Sequence, residues 1–379
     1  MTGVAPRAVL LTRHLPSPTG GGSHMRAWDW VVELAATHHV TVVVTGPEEP
    51  VDPALAALAQ VGFVRRIKLG GLQPSDVQTT DPEALATLLP PAGETLAVLV
   101  VFRMRVLPVG RLVLQRHPVE HRVLDVDDLE SRTRASITRA AVRLGMPRGT
   151  AKGARATLAY RRLERHDAGG FDVVTVASPT DTDAAWLRRW APVVEARPNR
   201  VPDAVAKPPG PVADPIRLLF VGTLNYLPNE IAVGWLARRL MPALRRDGVA
   251  VRLDVVGRRP SPRVRRWAAA TPDLHLTADA PDLSAHYAAC DAVLVPVRHG
   301  GGTKIKVVEA AAHQRPVLGF PAGLRGLPSE PGRDHLEFRT TREAVAAIRR
   351  LRDEPGLGAR LASSARESLA GLLAAPLEG

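Results

Sequence analysis

The chain's 379 residues suit two domains of about 150–200 residues each better than a single core, and 45% hydrophobic residues exclude a disordered chain. No apolar run approaches the roughly 20 residues of a membrane-spanning helix, and the single cysteine, Cys290, excludes an intrachain disulfide and a cysteine metal cluster. Lys and Arg outnumber Asp and Glu by 50 to 38, a formal charge of +12, and residues 103–165 alone hold 15 basic and 6 acidic side chains. Such a cluster suits nucleic acid, an anionic membrane surface or a phosphorylated substrate, and equally a plain solvated helix face in an arginine-rich chain.

The first residues run directly into a buried-strand pattern, Ala8–Thr12, without the charged-then-apolar layout of a signal peptide. A cytoplasmic location is expected, with peripheral contact at the inner membrane surface through Arg103–Arg165 as an extension. A glycine turn and an apolar-periodic helix over 23–37 follow. Val40–Thr45, Phe63–Leu69, Leu96–Phe102, Val123–Val126 and Val173–Ala177 read as further buried strands. An Arg-rich helical segment lies over 129–167, with a break expected near Gly145-Met-Pro147. Strands alternating with helices predict a parallel sheet covered on both faces.

The run Arg197-Pro-Asn-Arg-Val-Pro-Asp203, then Lys207-Pro-Pro-Gly-Pro211, sustains neither helix nor central strand, so a linker is placed at 198–214 between domains 1–197 and 215–355. A second alternating series begins with Arg217–Val221 and a helix over 228–246. Val251–Val256, Leu274–Leu276, Ala292–Val297 and Pro316–Phe320 read as its later strands, and 354–375 as one or two amphipathic helices.

The strongest chemical signal is Val295-Pro-Val-Arg-His-Gly-Gly-Gly-Thr-Lys-Ile-Lys-Val-Val-Glu309. A buried strand ends, three glycines follow, and a helix starts near Thr303. Gly300, Gly301 and Gly302 let the backbone approach a ligand closely, and a helix start presents unpaired N–H groups that suit a diphosphate. Lys306 adds a full charge to the same anion. Glu309, on the same helix face, suits the two hydroxyls of a ribose. A tight turn with a surface Lys–Glu pair is the plain alternative. The phosphate-loop spacing fails because Thr303 precedes Lys304, and the dinucleotide fingerprint is absent after the first strand. A second triple glycine, Gly20, Gly21 and Gly22, stands before the first helix and again suggests backbone near an anion.

The segment from Gly300 to Gly319 resembles the donor signature of glycosyltransferase family 4. Phe220-Val-Gly-Thr-Leu-Asn-Tyr-Leu-Pro-Asn229 is similar to the strand–turn that opens that family's C-terminal domain. Phe171-Asp-Val-Val-Thr-Val-Ala-Ser178 resembles its last N-terminal strand, and Arg197-Pro-Asn-Arg-Val-Pro202 its linker. The resemblance spans nearly the whole chain. It implies an α/β fold of the GT-B type, two Rossmann-like domains with parallel sheets facing across a cleft, and a terminal segment, 356–379, that returns to the N-terminal domain. It implies transfer of a sugar, with retention, from a nucleoside diphosphate sugar, UDP-sugar foremost, to a small-molecule, glycan or lipid-linked acceptor. The donor is a co-substrate, and neither cofactor nor metal is called for. Lys306 is implied to neutralise the diphosphate and Glu309 to hold the ribose. Gly222 and Thr223 are implied to lie beside the phosphates, with Gly20, Gly21 and Gly22 closing from the other domain. Two departures stand out: Gly301 occupies the place of the family's first Glu, and Thr223-Leu-Asn-Tyr-Leu-Pro replaces its usual basic residues.

Asp125-Val-Asp127 closes a strand of the first domain. Paired carboxylates there suit acceptor contact or acid/base work, helix capping, or a metal. His14, His24 and His299 lie near glycine turns, His299 being the better placed, adjacent to Gly300, and with Thr303 it joins the candidate donor-binding residues. The rival readings are a nucleotide-sugar epimerase on the same fold and a non-catalytic basic binding protein. Few aromatics accompany the basic stretch, so no nucleic acid partner is expected.

Overall fold

The structure, a computed structural model, describes residues 5–19, 21–68, 78–143, 147–177, 182–204, 209–299 and 304–374. The chain divides into two compact units, the first ending at Asn199 and the second starting at Arg200. Among the described residues no helix is long and apolar enough to cross a membrane.

The first unit is built on a seven-stranded sheet. Its strands are β1 (Arg7–Thr12), β2 (His39–Val44), β3 (Ala59–Phe63), β4 (Leu96–Phe102), β5 (Val119–Asp127), β6 (Val173–Val176) and β7 (Val194–Ala196). They lie in the order β3-β2-β1-β4-β5-β6-β7, every pair parallel. Strands buried on both faces need apolar residues at consecutive positions, as in Ala8-Val-Leu-Leu11. Ala8 and Leu10 face a cluster with Trp28, Trp30, Val31 and Leu34 of helix α1 (Gly22–Ala35). Val9 and Leu11 face the opposite cluster, with Tyr160 and Leu163. The Arg-rich segment forms two helices, α2 (Glu130–Arg143) and α3 (Pro147–Asp167); residues 144–146, where the break was expected, lie outside the described residues.

The main sheet of the second unit holds, among the described residues, six parallel strands: β8 (Ile216–Val221), β9 (Val251–Gly257), β10 (Leu274–Ala278), β11 (Ala292–Val295), β12 (Val317–Gly319) and β13 (His335–Glu337). Their order is β10-β9-β8-β11-β12-β13. One face packs on the helix that opens as α4 (Leu227–Trp235) and runs on, through a π turn at Leu236–Leu240 just before Pro242, to Arg246. Proline has no N–H for the α ladder, and the wider turn absorbs that defect. Also in this unit are α5 (Ser284–Ala289), α6 (Ile305–Ala312), α7 (Thr341–Asp353) and α8 (Leu357–Ser368).

In both sheets the order reverses beside the first strand, between β1 and β4 and between β8 and β11. Ligands of open parallel sheets bind beyond the carboxyl ends of strands at such reversals.

Three expectations need correction, and two edge strands escape the sequence pattern. The strand expected at 63–69 is instead β3, ending at Phe63, followed by a short strand Arg66–Lys68 in an antiparallel pair with Gln78–Thr80. The Ala-Gln-Val-Gly of β3 has little strand propensity, and its pairing with β2 overrides that. The edge strands β7 and β13, three residues each, are too short to show a period. Residues 198–214 are not free linker throughout: Asn199 is buried in the first unit, and Val201–Pro202 pairs with Leu373–Ala374. The terminal segment packs in the second unit, where Leu357, Leu361 and Ala365 of α8 enter its core, because its apolar stripe meets a partner there.

Candidate functional site

At the carboxyl end of β8 the chain turns through Gly222 and Thr223 into α4. Asn229, on the first turns of that helix, folds back so that its Nδ2 donates to the Thr223 carbonyl at 2.9 Å. A Cβ at Gly222 would stand 2.7 Å from that Nδ2, so a side chain at 222 would displace Asn229. The Asn229 Oδ1 accepts from Lys306 Nζ at 3.2 Å, and the ammonium also lies 4.6 Å over the Phe220 ring. Strand β8, helix α4 and helix α6 thus converge on one lysine. Lys306 is half-buried, and burial lowers its pKa to about 8, against the pull of Glu309.

Glu309 lies one turn further along α6. Its Oε2 accepts from the Tyr287 hydroxyl at 2.8 Å. Burial pushes the Glu309 carboxyl up, while the Tyr287 hydrogen bond and Lys306 pull it back. Tyr287 is completely buried on α5, which pushes its phenol well above the ordinary range. His313 stacks on it, ring centroids 4.6 Å apart and planes within 4°. Arg315 holds the end of α5 by donating to the carbonyls of Tyr287 (2.7 Å) and Ala288 (3.0 Å), as a cation at a helix C-terminus does.

The structure thus brings Gly222, Thr223, Lys306 and Glu309 into one unit, around the carboxyl ends of β8 and β11. His299 ends the described part of the loop after β11. Gly300, Gly301, Gly302 and Thr303 lie outside the described residues, as does Gly20. Gly21 and Gly22 belong to the first unit, at the start of α1, where Gly21 is the N-terminal cap. Sequence reasoning missed Tyr287, His313 and Arg315. Their partners are 22 to 28 residues away in sequence, and nothing local marks them.

A second polar cluster occupies the carboxyl end of the first sheet. Asp125 is fully buried and accepts from Arg26 Nε (2.8 Å), Arg26 Nη2 (2.9 Å), Trp30 Nε1 (2.6 Å) and the Asp127 backbone N–H (2.9 Å). Burial alone would raise its pKa, but Arg26 holds it below the usual carboxylate range. Asp127 accepts from Asn199 Nδ2 at 3.1 Å and from Arg103, which also bridges to Asp128. Arg103 and Asp127, at the ends of adjacent strands, have φ of 78° and 56°, a left-handed backbone that bends each side chain into this network. The sequence reading of Asp125 as an acceptor-contacting or catalytic carboxylate therefore needs correction. Its oxygens are taken by α1, and it fixes the position of that helix. Asp128 accepts from Thr133 and Arg103 within the same network.

His14 and His24 form a tilted pair, ring centroids 4.9 Å apart, beside this cluster. Burial, then His24, Arg13, Arg103 and Arg105, lower the His14 pKa to about 3, so that imidazole is neutral. Cys290 is buried with its thiol on the Tyr287 carbonyl, and burial pushes it up to about 12, which leaves no thiolate at neutral pH.

Comparison with known proteins fits this geometry. Residues 215–354, which hold Gly222, Lys306 and Glu309, match the family described as Glycosyl transferases group 1. A search of curated proteins gives no significant match to the chain. The fold is similar to that of sucrose-phosphate synthase from Thermosynechococcus elongatus, at 18% identity and a TM-score of 0.67, covering 97% of this chain and 95% of that one. It is similar also to Anabaena HepE in complex with UDP and glucose, at 14% identity and a TM-score of 0.62, covering 96% and 95%. S. aureus TarM, in complex with UDP and alpha-GlcNAc-glycerol, matches at 12% identity and a TM-score of 0.55, over 73% of this chain. The chain spans about half the length of TarM, 52% of it. The two parallel α/β sheets are those of the GT-B glycosyltransferase fold.

Proposed function

We propose that the protein is a retaining glycosyltransferase that moves a sugar from a nucleoside diphosphate sugar, a UDP-sugar foremost, to a small-molecule, glycan or lipid-linked acceptor. One observation carries this reading. A lysine held by Asn229 and a carboxylate held by Tyr287 stand one turn apart at the carboxyl ends of the second sheet, inside the segment that matches glycosyl transferases group 1. Breaking a sugar–phosphate bond leaves negative charge on the departing diphosphate. Lys306 and the start of α6 stabilise that charge, and Glu309 accepts the ribose hydroxyls. The charge needs no metal on this reading, and the donor is consumed as a co-substrate. The second unit takes the donor and the first the acceptor, with neutral His14 as an acceptor-side polar group; both oxygens of Asp127 are held by Asn199 and Arg103. UDP as the nucleotide draws support from the similarity to HepE in complex with UDP and glucose. Retention rests on the resemblance to glycosyltransferase family 4.

The test is product analysis by NMR with UDP-, GDP- and TDP-sugars, with and without candidate acceptors. Sugar transferred or released from one nucleotide class, in its starting anomeric configuration, is expected, and the signal is lost in Glu309→Ala. A donor sugar converted to its epimer without transfer contradicts the proposal.

A further inference from the structure

The basic surplus of residues 103–165 separates into two populations. Arg103, Arg105, Arg111, Arg122 and Arg134 are tied to carboxylates of the first unit. Helix α3 differs. Lys152, Arg155, Arg161 and Arg162 are exposed, and none makes an ion pair with a described residue. Arg165, exposed as well, lies 4.9 Å over the Trp190 ring. The helix offers these cations no carboxylate of its own: Glu164 is fully buried on Ser131, and Asp167 pairs with Arg111.

The orientation of α3 is fixed by its other face. Tyr160 and Leu163 enter the core, and Gly153 packs so closely on Thr138 of α2 that a Cβ would stand 2.1 Å from that hydroxyl. Arg155, Leu158, Arg162 and Arg165, spaced by three, four and three residues, therefore share the outward face. Leu158, 62% exposed, sits in the middle of it. From Lys152 to Arg165 the stripe is about 20 Å long at the helical rise.

We propose that this outer face of α3 docks the protein on an anionic phospholipid surface. Three arginines on one face, Arg155, Arg162 and Arg165, flanked by exposed Lys152 and Arg161, complement a sheet of phosphate headgroups, and arginine stems lie along acyl boundaries while their guanidinium groups stay among the phosphates. The exposed leucine between the arginines supplies the apolar contact that a headgroup layer takes and a nucleic acid backbone does not use. A single-strand binder needs exposed aromatic faces, and here Tyr160 is buried and Trp190 is covered by Arg165. The inference stands on the surface of the first unit alone and is independent of the donor site.

The experiment is co-sedimentation of the full chain with vesicles of phosphatidylcholine, alone or mixed with phosphatidylglycerol, across a salt series. Binding is expected only to the mixed vesicles and is expected to weaken as salt rises. Arg155→Glu with Arg162→Glu should lower it by about tenfold or more, the scale of losing surface cations at a charged bilayer. Leu158→Ser should lower it at unchanged charge. The melting temperature of each variant, with and without UDP, checks that the fold and the donor site are intact. Equal binding to both vesicle types, or charge-reversed protein that binds as wild type does, overturns the proposal. So does a wild-type preference for duplex DNA over vesicles with no effect of Leu158→Ser, which would make the face a nucleic acid surface.

Discussion

The Tyr287 hydroxyl donates to Glu309 Oε2 at 2.8 Å, and through it α5 decides where the carboxylate of α6 points. Arg315 fastens the backbone of Tyr287 and His313 stacks on its ring, so the phenol has little freedom to turn away. With one oxygen held by a buried donor, Glu309 presents its other oxygen in a fixed direction.

Replacing Tyr287 by Phe removes that donor with little change of shape. We expect the dissociation constant for UDP to rise about tenfold, as for a lost hydrogen bond to a charged group. The tyrosine bond is one of the influences that keep the Glu309 pKa from rising further under burial. Without it the carboxylate protonates at a higher pH, so the deficit should grow as pH falls. Calorimetric titrations of UDP over a pH series measure this, and a deficit constant with pH argues against the positioning role.

Lys306 loses its charge near pH 8 because of burial. Its cationic form is the one that attracts a diphosphate, so UDP affinity should fall as pH rises above about 8, by up to about tenfold per pH unit. Binding of the anion raises the pKa of Lys306 in the complex, so the fall levels off above that higher value. In Lys306→Met the affinity should drop about tenfold or more at neutral pH and the alkaline slope should vanish. A wild-type slope that persists in the variant assigns it to another group.

Much of the second unit's candidate site is legible in the sequence because it is local. The end of β8, the glycine turn and the four-residue stretch from Lys306 to Glu309 are contiguous patterns with a physical meaning. Their supports are not local. Asn229 reaches Lys306 across 77 residues, and Arg26 reaches Asp125 across 99. Asp125 illustrates the difference: its type and its place at a strand end suggest chemistry, and only the fold shows that Arg26 and Trp30 of α1 occupy its oxygens. The long apolar strands are equally plain from their runs of Val and Leu, whereas three-residue edges such as β13 become strands only through their neighbours.

Arg26 is among the largest fully buried side chains of the protein, and its charge is balanced by Asp125. Arg26→Met or Asp125→Leu alone should cost about 3–5 kcal/mol by leaving the other group unmatched, and the two together should cost less than the two single changes added. Because Arg26 lowers the Asp125 pKa, the pair's contribution is present at neutral pH and is lost as pH falls through and below the ordinary carboxylate range. Urea unfolding at pH 7 and at acid pH measures both effects, and strict additivity contradicts the coupling.

Gly257 ends β9 where the chain passes the Gly222 carbonyl. A Cβ there would stand 1.8 Å from that oxygen. Gly257→Ala should push the Gly222 turn aside, costing about 1–3 kcal/mol of stability and weakening UDP binding through Asn229 and Lys306. Thermal melting with and without UDP reports both, and a variant as stable as wild type argues against the close approach.

The most direct test of the donor site is calorimetric titration of UDP into the wild-type chain, Glu309→Ala, Lys306→Ala and the charge-reversed α3 variant. Saturable binding to the wild type is expected, weakened about tenfold or more in each of the two site variants and unchanged in the α3 variant. Absence of binding to the wild type, or equal affinity in Glu309→Ala and Lys306→Ala, contradicts a nucleoside diphosphate site at the carboxyl end of the second sheet.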